Sequence, residues 1–163
     1  MNETTDRYLY FAYGANLNRS AMKLRCPGAK YIGRAKLAQH HLMFRAKSSG
    51  AGVADVVPRD GRAVLGALWE LDDDHIRALD RFEGYPHLYT RERVLVTDDR
   101  GIDHMAIVYK MTGGHFATPS RFYYSTISEG YIDCCLPGSL LARAYWETEV
   151  NEGLNPERRM TCD

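Results

Sequence analysis

The stretch Tyr10-Phe11-Ala12-Tyr13-Gly14-Ala15-Asn16-Leu17 constrains the fold more than any other part of the chain. Tyr8 to Tyr13 is aromatic and apolar, a composition that favours a strand. Gly14 breaks it: glycine admits positive φ and the close approach of another group at no steric cost. Asn16 or Asn18 can then cap a helix over Arg19 to Arg25. A strand, a small-residue turn and a helix start together aim several backbone N–H groups at one spot. Such a spot binds carboxylate or phosphate oxygens. No Gly-Lys-Ser/Thr follows, so the stretch is not a phosphate-binding Walker loop, and the further glycines of a dinucleotide fingerprint are missing.

The chain has 163 residues, enough for one domain with a proper core. We expect that domain over 1–150, followed by a polar tail over 151–163. Twenty-one basic residues balance 21 acidic ones, which argues against a nucleic-acid surface or a polybasic membrane patch. No apolar run reaches a spanning length, and Met1 to Arg7 is polar and partly acidic, unlike a signal peptide. Cys26, Cys134, Cys135 and Cys162 show neither Cys-x-x-Cys spacing nor a disulfide framework. The expectation is a cytoplasmic protein.

Beyond the helix stop at Cys26-Pro27-Gly28, the pattern predicts two short strands within Ala29 to Arg45, broken near Ala38-Gln39. Lys47 to Gly52 reads as a polar loop. Val53 to Val57 and Ala63 to Leu71 read as strands joined by a hairpin turn, Pro58-Arg59-Asp60-Gly61. The second of these is the most continuously apolar segment, hence central, and Gly66 marks a bulge or a close approach of backbone or ligand. Asp72-Asp73-Asp74 opens a helix carrying Ile76, Leu79 and Phe82 at helical spacing, ended by Gly84 and Pro86. Tyr89 to Thr97 and Ile102 to Lys110 alternate as an antiparallel hairpin. Pro119-Ser120 opens a helix to about Cys134, and a last helix covers Leu140 to Trp146, with fraying from Val150. Strands first and helices last predict an α+β fold with a curved, mostly antiparallel sheet or small barrel.

Glu83 is the candidate for chemistry. It falls in the last turn of its helix, where the dipole disfavours negative charge and raises the carboxyl pKa. Phe82, Tyr85 and Tyr89 frame it with aromatic surface, and Gly84 lets the chain turn and leave the carboxyl in a concavity. A carboxyl so tuned shuttles protons at neutral pH. The histidines at 40, 41, 75, 87, 104 and 115 lack zinc-ligand spacing. His87 stands near Glu83, as a modulator or as a solvated loop residue. Cys134 and Cys135 fit core thiols better than nucleophiles, and no Gly-x-Ser-x-Gly elbow supports a serine triad.

The turn Tyr13 to Leu17, and the segment Leu79-Asp80-Arg81-Phe82-Glu83-Gly84-Tyr85 with Tyr89 beyond it, resemble the paired signatures of the γ-glutamylcyclotransferase family and its AIG2-like and γ-glutamylamine relatives. Pro119-Ser120, Tyr123, Gly130 and Leu136-Pro137 continue the resemblance, which covers Tyr8 to Trp146. It implies a γ-glutamylcyclotransferase-like curved mixed sheet or small barrel flanked by helices. It also implies a cofactor-independent cyclisation: a γ-glutamyl α-amine attacks its own γ-carbonyl, releasing 5-oxoproline and an amine or amino acid. Glu83 then carries both proton transfers. The backbone of Tyr13, Gly14, Ala15, Asn16 and Leu17 holds the α-carboxylate or the oxyanion, with no arginine, Arg19 and Arg91 included, required for it. Tyr89 and Tyr123 match pocket positions of the family, although Tyr123 fits simple helix packing equally well. Ala15 departs from the family's serine, with a consequence for substrate preference if the hydroxyl matters.

The partner implied is a small γ-glutamyl molecule, without nucleic acid or membrane, and a homodimer is admissible. Two other readings stay open: a non-catalytic ligand binder on the same fold, and γ-glutamyl deprotection or acyl transfer in a biosynthetic pathway. The leaving-group side of the pocket is expected from the loops Lys47 to Gly52 and Thr112 to Thr118.

Overall fold

A computed structural model describes residues 5–154. Its centre is a closed five-stranded barrel in the order β1-β3-β2-β4-β5. The strands are β1 (Tyr8–Ala12), β2 (Lys30–Ala46), β3 (Gly52–Leu71), β4 (Tyr89–Asp98) and β5 (Asp103–Met111). The helices are α1 (Arg19–Arg25), α2 (Asp73–Glu83), α3 (Arg121–Asp133) and α4 (Gly138–Gly153). The mixed α+β class expected from the sequence is the class found.

β1 pairs antiparallel with the apolar end of β3, from Tyr8 opposite Leu71 to Ala12 opposite Ala67. The expected shared sheet therefore exists, and the expected close approach at Gly66 is explained. A Cβ there would sit 2.2 Å from Ala12 O and 2.7 Å from the Phe11 ring, so only glycine lets the two strands meet. Phe11, Leu68, Leu71, Phe44, Val96 and Tyr109 belong to the hydrophobic core around this sheet, each at most 1 % exposed.

Two local expectations are corrected. Ala29 to Arg45 is one strand rather than two, and Gln39 marks an irregularity within it at φ 58°. Pro58 to Gly61 is not a hairpin turn either. β2 and β3 stay paired on both sides of it, with Ala38 opposite Ala63 and His40 opposite Pro58, so residues 59–62 bulge out against Gln39. The Gln39 side chain accepts from Gly61 N–H at 2.6 Å and closes the bulge. A bulge uses the same residue types as a turn without reversing the chain. The actual hairpin connection is Lys47 to Ala51, where Lys47 N–H bonds Ala51 O at 3.0 Å.

The helix signals held more closely. Asp72 caps α2 by accepting from His75 N–H, while His75 Nδ1 accepts from Asp72 N–H, and Gly84 ends the helix in the left-handed region at φ 64°. Ser120 caps α3. α4 runs on to Gly153, past the expected fraying at Val150, because its far end is tied to the barrel. Thr148 Oγ1 accepts from Phe44 N–H at 3.1 Å, and Glu152 accepts from Thr118 N–H at 2.9 Å. The rest of the expected tail, with Cys162, lies outside the described residues.

Candidate active site

The turn after β1 is a short 3₁₀ segment, Ala15–Leu17. Its own ladder uses the N–H groups of Leu17 and Asn18, bonded to Gly14 O and Ala15 O. The first N–H groups of such a turn have no acceptor within it, which leaves those of Ala15 and Asn16 at the entry. Gly14 is needed for space, not for positive φ: its φ is −126°, and a Cβ would lie 3.0 Å from Ala54 Cβ and 3.6 Å from the Tyr123 hydroxyl. Asn18, not Asn16, caps α1, accepting from Ala21 N–H at 3.0 Å.

That turn opens on a cavity of about 310 Å³ that Glu83 also lines. Glu83 is the last residue of α2. Asn16 Nδ2 reaches its Oε1 at 3.5 Å and donates to the Tyr10 hydroxyl at 3.0 Å. Arg25, from the end of α1, donates to Asn16 Oδ1. Its guanidinium lies 3.7 Å over the Phe82 ring. Burial pushes the Glu83 carboxyl up from 4.5 to about 7, opposed by the positive charge of Arg25.

The surrounding tyrosines divide by what their hydroxyls already do. Tyr13 donates to Tyr109 O at 2.6 Å and Tyr89 donates to Ala54 O at 2.7 Å. Each has spent its proton and keeps only acceptor capacity. Tyr123 instead accepts from Ala54 N–H at 3.0 Å, and Tyr10 accepts from Asn16, so both retain an O–H to donate. Desolvation raises the pKa of all four above the usual tyrosine range, which keeps them neutral. The cavity thus offers a carboxyl suited to proton exchange, neutral donors and acceptors, and the backbone of the Ala15–Asn16 turn entry in its wall. That set suits a small zwitterion whose ammonium must lose a proton while its carboxylate is held.

The sequence profile described as γ-glutamyl cyclotransferase, AIG2-like, matches residues 10–128, which include the turn, Glu83 and Tyr123. The chain belongs to this family. It is 31% identical over 139 residues to the γ-glutamylcyclotransferase of Homo sapiens, covering 81% of this chain and 74% of that protein. The Bos taurus protein of the same name is 30% identical over the same coverage. A solved γ-glutamyl cyclotransferase superposes with a TM-score of 0.78 at 27% identity, over 85% of this chain and 86% of the other.

Among the residues named from the sequence, Tyr13, Gly14, Ala15, Asn16, Glu83, Tyr89 and Tyr123 all line this one cavity. Leu17 does not: it is completely buried and packs in the core behind the turn. Tyr85 does not frame Glu83 either. Its ring faces Arg91 at 4.3 Å and lines the neighbouring groove instead. Arg91 lines a separate groove of about 460 Å³ beside α2, paired with Asp80 at 3.3 Å, and Arg19 lies 3.8 Å over Tyr31. His87 is exposed and outside the cavity wall. Of the two loops expected on the leaving-group side, only Lys47 reaches the cavity, and Phe122 and Thr126 of α3 take the place given to Thr112 to Thr118.

Sequence reasoning missed Arg25, Tyr10 and the side-chain role of Asn16. The asparagine is legible in the sequence as a cap and as a backbone donor of the turn, not for its side chain. Arg25 carried no signal, because a basic residue in a last helical turn is ordinary dipole compensation.

Proposed function

We propose that this chain converts γ-glutamyl amines or amino acids to 5-oxoproline and the free amine, with Glu83 as the proton carrier. The observation that carries the reading is the meeting of the Glu83 carboxyl and the Ala15–Asn16 entry of the turn in one cavity. The α-carboxylate sits on the turn N–H groups. Ionised Glu83 takes a proton from the α-ammonium, and the freed amine attacks the γ-carbon, forming the ring C–N bond. Glu83 then returns that proton to the departing nitrogen as its bond to the γ-carbon breaks, takes the second proton from the ring nitrogen, and yields it to the released amine, which leaves as the ammonium. Atoms and charge balance with nothing consumed besides the substrate.

A carboxyl titrating near 7 suits both halves of the cycle, since a base and acid near the working pH trades little driving force in either direction. The α-amino group it deprotonates has an ordinary pKa of about 8, a gap of roughly one unit. The intramolecular attack is the other large contribution: a folded, oriented substrate gains roughly 7 kcal/mol or more over a bimolecular encounter. The neutral O–H groups of Tyr10 and Tyr123 supply donors to the folded chain of the substrate or its oxyanion.

Cytoplasmic placement remains our reading from the thiols. Cys26, Cys134 and Cys135 are free, and no helix among the described residues is long and apolar enough to cross a membrane. The test is 5-oxoproline release across a panel of γ-glutamyl-amino acids and γ-glutamyl-amines. Release from at least one class, lost on Glu83→Gln, supports the reading. Saturable binding of the panel with no release from any member identifies a ligand binder instead.

A further inference from the structure

We propose that Arg25 is a positioning residue for the Glu83 carboxyl and acts on it through the Asn16 side chain. The inference rests on Glu83 being the proton carrier. A carboxamide has one donating and one accepting end, and the two look alike to packing but not to chemistry. A guanidinium only donates, so the end of Asn16 bonded to Arg25 must be Oδ1. Nδ2 then faces Glu83 Oε1 at 3.5 Å and the Tyr10 hydroxyl at 3.0 Å. Turned around, Asn16 would present an oxygen to a carboxylate oxygen, acceptor against acceptor. Arg25 therefore decides which end of the amide the base meets.

The same guanidinium is fixed from the other side. It lies 3.7 Å over the ring of Phe82, the residue before Glu83, so α1 holds the end of α2 at two adjacent positions. Asn16 is 3% exposed, which leaves its amide little room to find water in place of these partners. An amide donor favours the ionised carboxylate and works against the burial that favours the neutral acid. The other titratable groups that line the cavity with Glu83 are Tyr10, Tyr13, Tyr89, Tyr109, Tyr123, Arg25 and Lys47. The tyrosines stay neutral across the working range, so the ionised form of Glu83 depends on the Arg25 cation and one oriented amide.

The experiment reads Glu83 without substrate, so its outcome is independent of whether the proposed reaction occurs. The protein is labelled with ¹³C at glutamate side-chain carboxyls, and the Glu83 resonance is identified by its loss in Glu83→Gln. Its titration is then followed in wild type, Arg25→Met, Arg25→Lys, Asn16→Leu and the double variant Arg25→Met/Asn16→Leu, with near-ultraviolet circular dichroism to confirm native packing. Arg25→Met is expected to raise the midpoint by roughly one pH unit, tenfold in the ionisation constant. Arg25→Lys should fall between, because a point charge lacks the planar fork. The double variant should exceed Asn16→Leu by clearly less than Arg25→Met exceeds wild type. An unchanged midpoint in natively packed Arg25→Met overturns the proposal, and so do fully additive effects, which would mean that Arg25 acts by its charge alone. If Arg25→Met does not fold, Arg25→Lys decides: a raised midpoint supports the relay, and a wild-type midpoint overturns it.

Discussion

Asn16 Nδ2 and Glu83 Oε1 lie 3.5 Å apart although 67 residues separate them in the chain. β3 brings them together. β1, which ends at the Asn16 turn, pairs along the last residues of β3, and α2, which ends at Glu83, follows directly from β3. The approach of turn and base is thus set by one antiparallel register.

Replacing Glu83→Gln keeps the shape and hydrogen-bonding capacity of the side chain but removes its exchangeable proton. Turnover of any active γ-glutamyl substrate should fall by about 10²–10⁴-fold. The loss should appear in kcat more than in KM, because the missing contribution acts in the transition state. Steady-state kinetics at pH 7.5, roughly the pH at which this base is half to mostly ionised, would settle it: near-wild-type kcat assigns the proton transfer to another group.

The same carboxyl makes folding stability depend on pH in an unusual direction. Its folded pKa, about 7, lies above the ordinary 4.5. Between those values the native state keeps a proton that the unfolded chain has released, so stability falls as pH rises through that window and stays lower above it. The Glu83→Gln chain does not titrate there. Urea unfolding should show it close to wild type near the acid end of the window and more stable by about 1–3 kcal/mol above the window. Equal stability of the two chains at both ends would mean that Glu83 is not desolvated in solution.

Gly14→Ala tests the spatial reading of the turn. A methyl group at this position would meet Ala54 Cβ at 3.0 Å. We expect a stability loss of about 1 kcal/mol from this overpacking. kcat/KM should drop by at least about tenfold if, as proposed, this turn positions the substrate carboxylate. Thermal unfolding and kinetics on one preparation separate the two effects.

Two tyrosines grip opposite ends of the Ala54 peptide and should not be equivalent. Tyr123→Phe strips the acceptor from a buried Ala54 N–H, at a cost of about 1–3 kcal/mol. Tyr89→Phe removes a donor from Ala54 O, and a carbonyl left short of a donor is tolerated better than an orphaned N–H, so its cost should be smaller. A denaturation series in which Tyr89→Phe is the more damaging change would contradict this division.

The sequence made the ends of elements legible where a side chain signals to its own backbone: Asp72, Gly84 and Ser120 each mark a boundary found in the structure. It misled where the same residue types do another job. Pro58 to Gly61 has the composition of a hairpin turn, yet both flanks stay paired to β2, and a bulge leaves no distinct local pattern. At the site, the cavity side of the turn and of α2 could be read because each carries a contiguous motif. Arg25 could not, since its place is defined by Asn16 and Phe82, contacts that exist only once α1 and α2 pack together. Leu17 sits inside the motif but serves the core, which adjacency in sequence does not distinguish.

The barrel is stitched unevenly. The β2–β3 ladder runs nearly the full length of both strands, whereas β2 meets β4 at Ala35 and Lys36 only, and β1 meets β5 at the single pair Tyr10 and Ile107. Amide protons along the long ladder should therefore exchange with solvent only through large openings, and those at the two thin seams through small ones. Tyr10 lies on the thinner seam and also accepts the Asn16 amide. The wall of the cavity that touches the base's hydrogen-bond network is thus built on the part of the barrel that opens most cheaply, which gives a closed cylinder a local place to loosen around a ligand.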